Sequence, residues 1–312
     1  MEVYFDIKDV DSSLLDKPVI TLGTFDGVHL GHQAIIRRLV TKAREKGKKS
    51  VLVTYEPHPQ SVVAPETAPG ILTTLEEKIF LLRKSNLDLT LVVKFDQNLA
   101  RYEARPFVEE ILIRKLNVGH LIIGYDHAFG KNRAGRAELL EEAKKTYGFG
   151  LEIISPVKNN HRPIKSSRIR QELKKGNFHK AVKMLGHSFP IWGTKVRGRG
   201  LGAKMGYPTI NLEVPPGKLL PPDGVYAAEA EIDGEIRAGM MYKGRKPTLA
   251  GESPSLEMHL FDFEPSAKAE TIRLFAEKWT RGDMKFGSIE GLKKQIKDDE
   301  EIIRDYFSEK GG

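Results

Sequence analysis

GTFDGVHLGH, residues 23–32, lies between an apolar run, Val19 to Leu22, and a helical repeat of apolar residues at Ile35, Ile36, Leu39 and Ala43. A short continuous apolar run reads as a buried strand, and the spacing beyond it as one face of a helix, so these residues form a strand-to-helix corner. Glycines at Gly23, Gly27 and Gly31 permit tight backbone and close approach of a ligand. The unpaired N–H groups of a helix amino-terminus suit phosphate. His29 and His32, three residues apart, can face one ligand. Two imidazoles beside a polyphosphate point to transfer chemistry.

Outward from this corner, short β-branched runs alternate with amphipathic stretches from Val19 to about Ser155. VITL precedes a helix to Lys46, and SVLVTY a helix around Leu75 to Arg83. LTLVVKF precedes a helix from Pro106 to Leu116, HLIIG a helix around Ala137 to Tyr147, and LEIIS closes the series. Such alternation predicts a doubly wound α/β domain with a parallel sheet covered on both faces. Ligands of such sheets bind beyond the carboxyl ends of the strands. Two further segments therefore matter beside the first. In EPHP, residues 56–59, Pro57 and Pro59 stiffen the chain around His58. In GYDHAFGKNRAG, residues 124–135, Asp126 can accept hydrogen bonds from a ribose, and Lys131 and Arg133 can meet phosphate. After the last strand comes IKSSRIRQELKKGN, residues 164–177. Ser166 and Ser167 can cap the helix they precede. Arg168 and Arg170 fall in its first turn, where cations oppose the helix dipole unless an anion compensates.

GTFDGVHLGHQ resembles the HxGH signature of the nucleotidyltransferase superfamily, and its bacterial FAD synthetase branch in particular. EPHP is similar to that family's PHP loop. GYDHAFGKNRAG is similar to its GxDFxFGxxRxG loop, with His127 in place of the first Phe. SSRIR resembles the ISSTxIR motif, with Lys165 at its first Ser and Ser167 at its Thr. The resemblance implies catalytic roles for His29, His32 and Arg170. It implies ATP or phosphate contacts for Gly23, Phe25, Asp26, Gly31, Asp126, Ser166, Ser167 and Arg168, and flavin contacts for Pro57, His58 and Pro59.

Phe178 to Leu185 reads as a short helix stopped by Gly186, and the pattern then changes. The expected boundary divides a domain over 1–185 from one over 186–312. PIWGTKV, GVYAAEAEI, EIRAGMMY, SLEMHLFDF and TIRLFAEKW read as strands, with a hairpin turn at Asp233 and Gly234. An antiparallel barrel or sandwich follows, closed by a helix over Ser288 to Phe307 whose apolar positions share one face. In RGRGLGAKMGYPTIN, residues 197–211, Gly198, Gly200, Gly202 and Gly206 form backbone able to wrap phosphates, with Arg197, Arg199 and Lys204 as cations. These glycines lead into Tyr207, Pro208 and Thr209 instead of a helix, which argues against a dinucleotide fingerprint, and no Walker lysine is present. Thr209 and Asn211 alternate along an extended segment and so share a face. Neutral oxygen ligands there suit a magnesium ion carried by ATP phosphates. Along SLEMHLFDF, Ser255, Glu257, His259 and Phe261 share a face, and Glu257 is a candidate general base.

GYPTIN resembles the PTxN motif of riboflavin kinases and SLEMHLF their SxExHxF pattern. The resemblance places Thr209 and Asn211 at magnesium, and Gly198, Gly200, Gly202, Lys204 and Pro208 at ATP. Glu257 would be the base acting on the ribityl hydroxyl. YKGRKPTL, residues 242–249, stands where that family has NIGxRPTF, and KFGS, residues 285–288, where it has KFDS. The departures at Tyr242 and Gly287 bear on flavin affinity more than on catalysis. The whole chain thus resembles the bifunctional bacterial riboflavin kinase/FAD synthetase family, with riboflavin, FMN and ATP as ligands, Mg²⁺ as cofactor, and FMN and FAD as products.

Composition sets the frame for this. At 312 residues, two domains are expected. Hydrophobic residues at 40% suffice for packed interiors, and 29% charged residues suit a soluble surface. Absence of cysteine excludes disulfides, thiolate metal sites and a cysteine nucleophile. No signal peptide or membrane-spanning run is evident, so a cytoplasmic protein without a membrane partner is expected. A net charge of +8 could serve nucleic acid. However, the basic loops lack the aromatic platforms that single-stranded RNA requires, and polyanionic nucleotides explain part of the excess. Retention of only one of the two activities, an RNA-binding role for the same folds, and a homo-oligomer all stay open at this level.

Overall fold

A computed structural model describes the chain except residues 11–14, 199, 249–250, 264–269 and 312, and except the side chains of 246–248, 251–254 and 311. Two compact units divide it, Met1–Ser166 and Ser167–Gly312. Arg199 and Leu249, both noted in the sequence, lie outside the described residues. No helix among the described residues is long and apolar enough to cross a membrane.

In the first unit β1 (Glu2–Tyr4) and β2 (Val19–Leu22) precede α1 (Leu30–Lys46). β3 (Ser50–Glu56) leads to α2 (Pro59–Val63) and α3 (Leu75–Arg83). β4 (Leu89–Lys94) is followed by the short α4 (Gln97–Ala100) and α5 (Ala104–Pro106) and by π-helical turns over Phe107–Lys115. β5 (His120–Gly124), α6 (Ala137–Tyr147) and β6 (Gly150–Ile154) complete the sheet, and a small hairpin, β7 (Lys158–Asn159) with β8 (Arg162–Pro163), follows. The six strands are all parallel, in the order β1-β4-β3-β2-β5-β6. Side-chain alternation explains the two covered faces. Ile20, Leu22, Val51 and Val53 join a core with Phe107, Leu112 and Leu140. Val19 and Leu52 join another with Ile36, Leu39 and Leu82 from α1 and α3. The expected strands appear as β2 to β6. β1 was not anticipated and extends the edge beside β4. Strand order reverses between β2 and β5, so the loops after these two strands meet at the carboxyl edge, where doubly wound sheets bind ligands.

α7 (Ser166–Lys174) spans the division between the units. The second unit continues with α8 (Phe178–Leu185), β9 (Phe189–Val196), α9 (Leu201–Lys204), β10 (Ile210–Glu213), β11 (Gly224–Ile232), β12 (Glu235–Thr248), β13 (Gly251–Leu260), β14 (Thr271–Arg281) and α10 (Ile289–Gly311). Six strands close antiparallel in the order β10-β13-β12-β11-β14-β9. Pairing of β9 with β14 on one side and β10 on the other makes the closure, which decides for a barrel over a sandwich. Asp233 (φ 52°) and Gly234 (φ 82°) form the tight β11–β12 turn, whose two left-handed residues match the twist of the strands. Val225, Ala227, Met240 and Phe261 face α10 around the fully buried Ile303. Tyr226 and Ala228, on the opposite face of β11, are fully buried as well. Phe178 of α8 packs edge-on against Phe189 and Tyr226, with ring centroids 6.3 and 5.0 Å apart.

Candidate functional sites

The loop after β2 is strained and is held in place by buried polar bonds. Phe25 (φ 47°), Gly27 (φ 82°) and Val28 (φ 37°) are left-handed. For two non-glycine residues that is costly, and such strain persists where the surroundings enforce it, commonly at functional sites. Asp26 is the enforcing residue. Its buried carboxylate accepts from Leu72 N at 2.9 and 3.1 Å and from Thr73 N at 2.9 Å, while Gly27 N donates to Thr73 Oγ1 at 2.9 Å. The Asp26 side chain therefore faces the 72–73 backbone, and what it gives the site is an ordered loop. Thr54 Oγ1 donates to Thr24 O at 3.0 Å, and the buried Lys78 lies 3.3 Å from the same hydroxyl.

His29 caps α1, its Nδ1 accepting from His32 N at 3.3 Å. The two imidazoles stack with centroids 3.6 Å apart and planes at 17°. Gly31 makes room, since a Cβ there would stand 3.1 Å from the His29 ring. Phe25 packs edge-on to His32 at 5.1 Å, and a Cβ on Gly23 would meet the Phe25 ring at 3.2 Å. Burial, then His29, then Lys78 hold His32 well below its ordinary 6.5. Both histidines line a cavity of about 160 Å³ with Gly31, Ile35, Asp126, Lys165 and Ser166. Its walls come from the start of α1, from the ends of β5 and β6 with the residues that follow them, and from Ile164 to Ser166, beside the reversal of strand order.

Lys165, the departure from the family's first Ser, pairs with Asp126 at 2.8 Å and lies 5.2 Å above the Tyr125 ring. Ser166 Oγ donates to Asp26 O at 2.9 Å, tying the start of α7 to the opening loop. Ser166 is thus the first residue of the helix and not its cap. Ser167, Arg168 and Arg170 follow in α7, with Arg170 buried. His58 caps the short α2 through Nδ1 and Gln60 N, with Pro59 at the first helical position. Among the described residues, the 57–59 loop is not part of the cavity lining. His127 is held at about 4, first by burial and then by Arg133, and its Nε2 is buried without a hydrogen bond.

The second unit builds a separate site on β10 and β13. Cross-strand pairing sets Asn211 opposite Glu257, and Tyr242 of β12 flanks Glu257 from the other side. Thr209 Oγ1 donates to Glu257 Oε2 at 2.9 Å, and Ser255 Oγ to Oε1 at 3.1 Å, so both carboxylate oxygens are oriented. His259 Nδ1 donates to Pro208 O at 2.8 Å, tying the Pro-Thr segment to β13. The glycines are spatial requirements. A Cβ on Gly198 would stand 2.2 Å from Asn211 Nδ2, and one on Gly202 would stand 2.2 Å from Tyr207 O. Gly200 (φ 68°) starts α9, which ends at Lys204. Tyr242 donates to Asp283 Oδ1 at 3.0 Å, a link absent from the sequence reading. Burial, then Asp283, raise its phenol. Gly287 is exposed, with open space around its Cα.

A family model described as FAD synthetase matches residues 11–168, and one described as riboflavin kinase matches residues 185–307. Proteins described as bifunctional riboflavin kinase/FMN adenylyltransferase are 35% identical to this chain. The one from Haemophilus influenzae matches over 93% of this chain and 94% of its own length, and that from Bacillus subtilis over 94% and 93%. The Escherichia coli K12 relative matches over 93% and 92%. A Streptococcus pneumoniae crystal structure, described as a macrolide-efflux protein, aligns with a TM-score of 0.84 and 29% identity, covering 97% of this chain and 98% of its own.

Proposed function

The chain belongs to the bifunctional riboflavin kinase/FMN adenylyltransferase family, and we propose that it uses the barrel site to make FMN and the switch-point cavity to convert FMN to FAD. The observation that carries this assignment is that each compact unit holds its own built site, around Glu257 in one and around His29 and His32 in the other. The boundary between the two activities is placed after Leu185, and riboflavin, FMN and ATP are the ligands. The expected setting is the cytoplasm.

In the barrel, Glu257 takes the proton from the ribityl terminal hydroxyl as that oxygen attacks the γ-phosphorus of ATP, and ADP leaves. Thr209 and Ser255 hold the carboxylate in one orientation, so the base is positioned before the substrate arrives. Thr209 gives its proton to Glu257 and keeps its lone pairs, so with Asn211 it fits an oxygen-seeking cation that arrives on ATP. Mg²⁺ bound there would supply charge neutralisation on the phosphates. Gly198, Gly200, Gly202, Lys204 and Pro208 shape the ATP side.

In the first unit, the FMN phosphate attacks the α-phosphorus of ATP and pyrophosphate leaves. An anionic phosphate needs no base. His29 and the neutral His32 therefore act as hydrogen-bond donors to phosphate oxygens as the transition state develops, with Ser166 adding a hydroxyl. Ser167, Arg168 and Arg170 are assigned to phosphate by the motif resemblance alone. Gly23, Phe25 and Gly31 give the loop its shape, Asp126 faces the nucleotide, and Pro57, His58 and Pro59 are assigned to the flavin. Replacing Glu257 with Gln should lower FMN formation by about 10²–10⁴-fold, the range for loss of a general base, while FAD formation from supplied FMN persists. Equal loss of both activities would contradict two separate sites.

A further inference from the structure

Lys165 and Asp126 stand at the cavity that holds His29 and His32, and both side chains are about half exposed, at 45% and 48%. An ion pair that open to water adds little to folding, so its effect is sought on what enters the cavity. A polyanion approaching Asp126 meets a carboxylate, and like charges at close range oppose binding. Lys165 is the cation set against that carboxylate. Its flexible stem can also reach other partners, and an ammonium has three donors to share. The Asp126 hydrogen bond, then that of Tyr125, keep the ammonium above its ordinary range, so it remains charged.

We propose that Lys165 and Asp126 form a charge latch at the adenylyltransferase cavity, paired as the structure has them and opened when Lys165 turns to a phosphate of the bound substrate. The proposal rests on the adenylyltransferase reading of this cavity. Lys165 is thereby an affinity-determining residue in this chain, at a position where the resembled motif has a hydroxyl. Asp126 holds the ammonium near the cavity until phosphate replaces it, and without the ammonium it repels that phosphate.

The test uses the full-length chain with ATP and FMN, measuring kcat and KM for FAD formation. Lys165→Met should raise KM roughly tenfold for the substrate whose phosphate accepts the ammonium, with kcat nearly unchanged, as loss of uniform binding requires. The separate arms for ATP and FMN identify that substrate. Lys165→Arg should retain most of the affinity. Lys165→Met should cost far less in an Asp126→Asn background than in wild type, each measured against its own parent, since the repelling charge is then gone while the amide oxygen can still accept from a ribose. Raising salt from about 50 to about 500 mM should shrink the difference between wild type and Lys165→Met. Unchanged KM values in Lys165→Met, or an equal loss in the Asp126→Asn background, would overturn the latch. Calorimetric titration of ATP and of FMN into the same variants separates this from the functional reading. If wild type makes no FAD yet Lys165→Met still weakens binding of one of them, the adenylyltransferase reading fails and the latch stands. Equal binding by wild type and Lys165→Met removes the latch whatever the turnover.

Discussion

Burial first, then the His29 ring stacked at 3.6 Å and the buried Lys78, disfavour a charge on His32. His32 is accordingly neutral across the physiological range, and its role is to donate or to pack, not to shuttle protons. FAD formation from FMN should show no inflection from His32 between about pH 6.5 and 8, the span above an unperturbed imidazole. A kcat–pH profile checks this, and a step near pH 6.5 that disappears in His32→Asn would contradict it. His127 gives a stability prediction instead. Its value is about 4 in the fold, against 6.5 for a free imidazole, so the unfolded chain takes up the proton first as pH falls. Stability is therefore complete above about 6.5 and declines as pH drops towards 4. Replacing His127 with Phe, the residue of the resembled loop, should flatten that decline in Tm. It should also add about 1–2 kcal/mol near neutrality by removing an unpartnered buried nitrogen. At this scale the site was partly legible. The strand-to-helix corner of 23–32 and the meeting of its two histidines were legible because local spacing constrains them. The side chain of Asp26 is turned to the 72–73 backbone and Lys165 to Asp126, long-range pairings that spacing within one segment does not encode.

At the scale of elements, close approach decides function. Gly198 lies against the Asn211 side chain, where a methyl group would stand 2.2 Å from Nδ2. Asn211 can swing aside, so Gly198→Ala should leave the barrel folded. FMN formation should fall by about 10–100-fold, as expected when a substrate-positioning group moves by roughly 1 Å. Near-wild-type FMN synthesis would argue against Asn211 at the ATP side. Helix α10 is fixed differently. Arg281 of β14 reaches both oxygens of the buried Asp299 at 2.7–3.0 Å, and Gln295 donates to the same carboxylate. Asp299→Ala leaves the guanidinium without its carboxylate and with only the Gly282 carbonyl among the hydrogen bonds described, a loss of about 3 kcal/mol, seen as a lower denaturant midpoint for FMN-forming activity. Most elements were readable in the sequence because buried strands such as VITL and HLIIG carry continuous apolar runs. β1 escaped because three residues, Glu2 to Tyr4, are too few to show a period. β10 read only as an extended stretch, and the choice between barrel and sandwich rested on its pairing with β9, a contact that local pattern does not record.

On the scale of the molecule, the chain joins a doubly wound sheet to a closed barrel, each with its own core. The order of reactions follows from the chemistry, since the product of the barrel site is the nucleophile of the other. Composition indicated two domains and a basic surface suited to polyanions, but charge alone did not separate nucleotides from nucleic acid. The family to which the chain belongs accounts for ATP as one such polyanion. The most direct test is to incubate the full-length chain with riboflavin, ATP and magnesium and to follow the flavins by chromatography. FMN should appear first and FAD after a lag, with riboflavin consumed. If neither product forms, the assignment of both sites is contradicted.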